Sequence, residues 1–454
     1  MSLSQQPAER PYAVIGAGPM GLCTARQLSR HGLPWIGFEL NNGVGGLWDI
    51  ENPHSTMYES AHLISSKRKT EFAAFPMKED IPTYPSHQHL KSYFNDYADQ
   101  FNLKGNFQFN TKVLSITKQA EDHWIVKTCK TDDAGNEQNF ECAGVLIANG
   151  TLHQPKRIEL PGEFTGERIH SAHYKSADIF EGKRVLIVGC GNSGCDIAVD
   201  AVHRAKSVAM SVRRGYYFLP KFVLGRAIDT LGGAVKLPMK LKQLVDGLII
   251  KALIGKPSDY GLPNPDYKLY ESHPVVNSIF LHHIGHGDID PVAGIKTVNG
   301  KTVTFKDGKE AQFDLIVEAT GYDLHYPFID PTYINWQGAA PSLFLNAFSP
   351  TEANIFVMGM VEAAGLGWQG RDEQAKLVAQ YLYHKRAHND VAEIFEQAIK
   401  EHYQDRFTGG LRYLQLDRMA YYVHKETYLA QLSKYQTLLK VDNATLAKMD
   451  TVSV

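Results

Sequence analysis

The sequence predicts an α/β fold of two nested Rossmann-like, dinucleotide-binding domains, with an amphipathic helical insertion and a helical C-terminal part. Three observations lead there. Two strand–glycine-turn–helix patterns stand far apart in the chain, at 12–31 and 184–204. Two further apolar strands each end in a small-polar-glycine turn. The length, 454 residues, exceeds what one compact core holds.

The first pattern runs from Tyr12-Ala13-Val14-Ile15 into Gly16-Ala17-Gly18-Pro19-Met20-Gly21, then a helical periodicity over Leu22–His31 that stops at Gly32. In such a turn the first glycine makes the tight bend and the second lets backbone approach a pyrophosphate. The third lets helix and strand pack closely, and the helix offers its first N–H groups to the anion. A second strand, Trp35–Phe38, ends at Glu39, where the pattern places an acid on a ribose hydroxyl pair. A carboxylate there repels a 2′-phosphate, so this half favours FAD or NAD over NADP.

The second pattern is Arg184–Val188 followed by Gly189-Cys190-Gly191-Asn192-Ser193-Gly194 and a helix over Asp196–Arg204. Its second strand, Ser207–Val212, ends in Arg213-Arg214-Gly215. Two guanidiniums at that position suit the 2′-phosphate that NADP adds. Glu39 therefore marks an FAD half and Arg213-Arg214 an NADPH half, with NADH as the alternative reductant. Two dinucleotides in one chain imply electron transfer between them.

Val145-Leu146-Ile147-Ala148-Asn149-Gly150 and Leu315–Glu318 followed by Ala319-Thr320-Gly321 read as the equivalent closing strands of the two halves. Their order implies nesting. An FAD-binding part spans 1–155, an NADP-binding domain 156–318 with an insertion at about 216–290, and the remainder of the FAD-binding domain with C-terminal helices 319–454. Helical periodicity recurs over Asp372–Arg386, Val391–His402 and Tyr428–Leu439.

Composition excludes other classes. A formal net charge of -2 leaves no footprint for nucleic acid. Five cysteines show neither a disulfide framework nor metal-ligand spacing, and His273, His282, His283 and His286 make no metal site by spacing. No signal-peptide pattern opens the chain, no apolar run is long enough to cross a bilayer, and the tail at 449–454 is polar. A cytoplasmic homodimer acting on a small molecule is expected, with association at a membrane surface left open.

Between the two fingerprints stands Phe164-Thr165-Gly166-Glu167-Arg168-Ile169-His170-Ser171-Ala172-His173-Tyr174. This resembles the identifying motif of the flavin-containing monooxygenases. The resemblance extends to Gly45-Gly46-Leu47-Trp48, Phe75-Pro76, Arg213-Arg214-Gly215, Ala319-Thr320-Gly321-Tyr322 and the stretch from Gly365 to Gln374. It implies that NADPH reduces FAD, that reduced flavin and O2 give a C4a-hydroperoxide shielded by retained NADP+, and that an amine nitrogen or sulfide takes the distal oxygen. The flavin carries that chemistry while the protein orients and excludes water. Gly46, Leu47, Trp48, Gly150 and Thr320 are implied to line the cofactor sites, with His170 and Tyr174 linking the domains. In the related Baeyer–Villiger enzymes the motif usually ends in Trp; Tyr174 favours the heteroatom-oxidising branch, with ketone oxidation as the alternative and an uncoupled NADPH oxidase behind it.

The segment His62-Leu63-Ile64-Ser65-Ser66-Lys67 departs from the family, which commonly places an Asn where Ile64 stands. Isoleucine cannot hydrogen bond, so His62, Ser65 or Ser66 is expected to take that polar duty. A flavin disulfide reductase would need a redox cysteine pair at the flavin, and Cys190 and Cys195 sit instead at the NADP loop. A non-catalytic FAD-binding protein would have no use for Arg213-Arg214. In the insertion, Leu231–Gly255 shows helical spacing with Lys240, Lys242 and Lys251 on another face; it reads as a helix packed on the NADP domain, an interfacial helix or channel lid being the other reading.

Overall fold

The computed structural model describes residues 9–133, 135–231, 237–442 and 445–446. Two five-stranded parallel sheets organise it. In the first, Tyr12–Ile15 is central, flanked by Trp35–Phe38 and Gly144–Ile147, with Phe107–Gln108 and Ile355–Val357 at the edges. In the second, Arg184–Val188 lies between Ser207–Ser211 and Leu315–Glu318, with Ile289–Val292 and Glu167–His170 outermost. The strands Tyr12–Ile15, Gly144–Ile147 and Leu315–Glu318 are buried at every residue, as parallel strands covered on both faces must be.

The sheets are nested in sequence. The last strand of the first sheet follows every strand of the second. The two chain crossings meet as an antiparallel pair, Gln154–Pro155 with Tyr322–Asp323. An antiparallel meander (Thr111–Ala120, His123–Lys130, Glu137–Cys142) links the third and fourth strands of the first sheet in chain order.

The first helix spans Pro19–Arg30, three residues earlier than periodicity placed it, because proline is tolerated at the first helical position with its φ already set. The C-terminal helices are Gly367–Arg386, Asp390–His402 and Lys425–Leu438, and the first of these packs along Pro19–Arg30. The tail at 449–454 lies outside the described residues, as do 232–236 of the insertion.

The insertion carries the helix that its spacing predicts, and it lies at the surface. Its helix is Met239–Ile254, and no residue in it is buried. Three of its polar side chains, Lys242, Gln243 and Asp246, turn inward. Gln243 donates to the Leu269 carbonyl at 2.9 Å, and Tyr270 bonds both Lys242 and Asp246. Leu241, Leu244 and Leu248 stand exposed. Ile254 packs against the core of the second sheet, the side expected from the sequence, while the leucines at 241, 244 and 248 face away from it.

Candidate active site

Each glycine turn is closed by the strand that was expected to close it. Gly16 has φ +103° and Gly189 φ +109°, values that L side chains rarely adopt. A Cβ on Gly21 would lie 1.8 Å from the Gly16 carbonyl oxygen; on Gly194 it would lie 2.1 Å from that of Gly189. Ala148 abuts the first turn and Ala319 the second, so the two halves are built alike. The helices that follow, Pro19–Arg30 and Asn192–Val202, have Gly18 and Gly191 at their N-caps and no side chain covering those ends. Both ends are thus free to receive a pyrophosphate.

In the first half Gly45 donates to the Ala17 carbonyl at 3.0 Å, and Gly46-Leu47-Trp48 forms a short 3-10 turn against Gly18. Glu39 is buried, and its carboxylate accepts from the Ala17 amide at 2.6 Å and from the amide and side chain of Asn41 at 2.9 and 2.6 Å. Burial pushes its pKa up and these hydrogen bonds pull it back. Glu39 therefore braces the turn, and its oxygens keep lone pairs for a ribose.

In the second half Arg213 is exposed, while Arg214 lies over the rings of Tyr216 and Tyr267, 5.5 and 5.7 Å from their centroids. The Arg214 Nε is buried with no partner among the described residues, and neither arginine is paired with a described carboxylate. Asn192 bridges to the Pro274 carbonyl and the Val276 amide, while Ser193 is half-buried at the helix start. These residues fit NADPH: a cradle with no room for a side chain, an open helix end and an unneutralised guanidinium.

The two halves are joined through the second helix. Tyr58 donates to Asp196 at 3.1 Å, Tyr174 donates to Asp200 at 2.8 Å, and Ser60 donates to the same Asp200 oxygen. Lys175 reaches the Ser55 and Met57 carbonyls at 2.5 and 3.1 Å. His170 accepts from the Ala172 amide at 3.1 Å and meets the Tyr322 ring edge-on; burial lowers its pKa. These hydrogen bonds of His170 and Tyr174 lie within 156–318, and their contacts beyond it are ring contacts, His170 with Tyr322 and Tyr174 with Tyr58. Tyr58, Ser60, Asp196, Asp200 and Lys175 are partners that the sequence reading did not single out.

The three residues expected to replace the missing Asn separate. His62 is exposed and its Nδ1 lies 2.7 Å from the Ser60 carbonyl, so its ring is turned outward, because Ala61 and Leu63 on either side are buried. Ser65 exchanges a hydrogen bond with Thr70 at 2.6 Å. Ser66 is buried, and its hydroxyl has no partner among the described residues. Its amide donates at 2.6 Å to Asp229 of the insertion, whose other carboxylate oxygen is likewise buried and unpartnered. Lys67 is held by the Lys78, Glu79 and Ile81 carbonyls, a structural task. Thr320, expected at a cofactor, donates its hydroxyl to the Lys156 carbonyl and ties the chain crossings together. Gly150 has φ +83° in the turn after Gly144–Ile147, beside Ala148.

Two other groupings were not legible from spacing. Cys190 and Cys195 lie with sulfurs 3.8 Å apart, both buried and free. Burial pushes the Cys195 thiol far up, which removes the thiolate that disulfide chemistry requires. Gly287, at φ +79°, returns the chain at the end of helix Ile279–His286, so that His283, His286 and Asp288 present possible ligand atoms within 4.8 Å of one another. The His283–Asp288 contact, 2.9 Å, closes the C-terminal end of that helix.

A protein-family model described as "Flavin-binding monooxygenase-like" matches residues 9–443. Flavin-containing monooxygenase 1 of Mus musculus is 32% identical over 393 residues, covering 82% of this chain and 73% of that protein. A probable indole-3-pyruvate monooxygenase of Arabidopsis thaliana is 29% identical over 415 residues, covering 88% and 93%. Among solved structures, the S-allyl-L-cysteine S-oxygenase of Allium sativum superposes with a TM-score of 0.61 at 20% identity, covering 98% of each chain. The open form of a cyclohexanone monooxygenase gives 0.66 at 18% identity, also covering 98% of each. These two likenesses establish the fold.

Proposed function

The chain belongs to the flavin-binding monooxygenase-like family, whose members use FAD, NADPH and O2, and from that premise we propose that it oxygenates a soft nucleophile, an amine nitrogen or a sulfide sulfur, of a small molecule. FAD would be held by the Gly16–Gly21 turn, Glu39 and Gly46-Leu47-Trp48; NADPH by the Gly189–Gly194 turn and Arg213-Arg214. The corresponding units are 1–155 with 319–454, and 156–318. When bound, the flavin accepts hydride from NADPH and activates O2; one oxygen atom goes to the substrate and the other leaves as water. The oxygen-transfer step that the resemblance implies is part of this reading.

The observation that carries it is a second glycine cradle with an uncapped helix end and an Arg214 without a carboxylate partner among the described residues, whose helix also holds Tyr58 and Ser60 of the first domain. The chain's own contribution is positioning. Asp196 and Asp200 tie Tyr58 and Ser60 of the first domain to the second, and the Ser66–Asp229 contact closes the insertion on the 62–66 segment. A buried aromatic group, with Trp368 4.6 Å from Phe94 and 6.4 Å from Trp48, backs the 46–48 turn and excludes water behind it.

A sulfide or amine needs no activation, whereas a ketone needs its oxygen polarised. Within 62–66 the only cationisable side chain, His62, is turned outward, which favours the soft nucleophile. The test is stoichiometry with an aryl methyl sulfide and with cyclohexanone. The expected result is one sulfoxide per NADPH and per O2, with little lactone and little peroxide. Dominant lactone would move the assignment to ketone oxidation, and peroxide equal to NADPH with both compounds would make the protein an oxidase.

A further inference from the structure

Eight of the twelve large hydrophobic side chains that stand exposed among the described residues fall within positions 222–253 of the insertion. Such concentration is unusual, because isolated exposed leucines are ordinary and contiguous ones are not. Five of the eight sit on the helix Met239–Ile254: Leu241, Leu244, Leu248, Ile249 and Leu253. At 3.6 residues per turn, Leu241, Leu244 and Leu248 share an arc of ~60°. Lys240 and Lys251, both exposed, border that arc on one side, and Ile249 and Leu253 extend it on the other. The protein body receives the opposite side, where Gln243 and Asp246 stand with Ile250 and Ile254, none of them exposed.

We infer that this helix is a docking surface for an anionic lipid bilayer, lying flat with its leucines among the acyl chains and its lysines at the headgroups. Charge selects this occupant. The helix contains three lysines and one acid, Asp246, which is already engaged inward by Lys242 and Tyr270. The outward face therefore presents cations and no carboxylate. A second copy of the chain would set lysine against lysine across the leucines with nothing to neutralise them. Acidic headgroups over an apolar layer complement both features. The chain's formal net charge of -2 means that the attraction is local to the insertion.

Dimensions support the flat arrangement. Sixteen residues make a helix of about 24 Å, short of the ~30 Å hydrocarbon core. No helix among the described residues is long and apolar enough to cross a membrane. A second element of the insertion has the same character. The hairpin Phe222–Val223/Arg226–Ala227 carries Leu224 at its tip, 97% exposed, with Phe222 also exposed and Lys221 and Arg226 beside them. The inference does not rest on the proposed oxygenation; the two can fail separately.

The test is co-sedimentation of the FAD-loaded full chain with vesicles of pure phosphatidylcholine and of phosphatidylcholine mixed with phosphatidylglycerol, at low and high salt. Ile394→Glu, an exposed apolar position outside the insertion, is the control. Wild type and control are expected to sediment with the anionic vesicles, less so at high salt. Leu244→Glu/Leu248→Glu should lower partitioning by about tenfold or more, and Lys240→Glu/Lys251→Glu by roughly twentyfold. Flavin content and NADPH oxidation should be unchanged in both, which separates lost docking from lost folding. Wild type remaining in the supernatant with every vesicle overturns the inference, and equal binding to both vesicle types overturns its anionic part. A dimer by light scattering that Leu244→Glu/Leu248→Glu converts to monomer, without vesicle binding, would assign the face to a second copy.

Discussion

Arg214→Ala should separate NADPH from NADH without disturbing flavin binding. The guanidinium rests against two tyrosine rings, its Nε is buried without a partner, and no described carboxylate neutralises it. Removing it breaks no ion pair, so the loss in stability is confined to cation–π contact, about 1 kcal/mol. Its proposed work is on the 2′-phosphate. Hydrogen bonds to charged groups contribute about 1.5–3 kcal/mol, which corresponds to a rise of roughly 10- to 150-fold in the KM for NADPH. Arg213 is exposed and its charge is screened, so Arg213→Ala should raise the same KM by only about two- to fivefold. Arg214→Lys keeps the charge but loses the planar fork and should fall between. The assay is NADPH and NADH oxidation followed side by side on one preparation, so that any folding defect cancels in the ratio. KM values for both coenzymes rising together would refute the phosphate role of Arg214, and a larger effect at Arg213 would refute the ranking by burial.

Other outcomes follow from the same geometry. Gly21→Ala should abolish FAD retention, because a Cβ would lie 1.8 Å from the Gly16 oxygen, whereas Gly194→Ala, at 2.1 Å from Gly189, should retain flavin colour and lose NADPH reduction; flavin content and anaerobic reduction distinguish them. Ser66→Ala should raise peroxide release per NADPH several-fold while His62→Ala leaves it unchanged, since only the Ser66 hydroxyl is buried and unpartnered; a catalase-coupled oxygen measurement decides. His273, bonded to Tyr422, has its pKa lowered by burial and then by Arg418 to about 4, against about 6.5 when unfolded. The folded state thus binds fewer protons between those values, so stability is whole above about pH 6.5 and declines below it, by roughly 1–2 kcal/mol at pH 5; His273→Asn should flatten that part of the pH–stability profile in urea titrations.

Strands and turns close in sequence were legible because their signals are local. Trp35–Phe38 is bounded by Pro34 and Glu39, and the glycine spacing dictates turn geometry whatever surrounds it. Contacts between segments far apart in the chain were not. Ser66 meets Asp229, Tyr58 meets Asp196, and Lys175 meets Ser55, each pairing joining stretches with no shared pattern. Direction was hidden as well. His62 reads as a polar residue in a functional segment, yet alternation with buried Ala61 and Leu63 turns it to solvent. The insertion helix shows the same limit, since a period of 3.6 fixes a face and only neighbouring elements fix where it looks.

The helix Asn192–Val202 concentrates two duties that sequence reading assigns to separate motifs. Its N-terminus is the open end that would receive the NADPH pyrophosphate, and Asp196 and Asp200, one turn apart on its flank, hold Tyr58, Ser60 and Tyr174. Burial pushes the Asp196 carboxyl up while Asn277 and Tyr58 donate to it. A nucleotide that shifted this helix would drag the 55–60 segment of the first domain with it, because the bonds leave little slack. The fingerprint ending in Tyr174 and the second glycine turn therefore act on one rigid element. The Tyr174 hydroxyl has a specific acceptor in Asp200, which an indole ring at that position would have to approach in a different geometry.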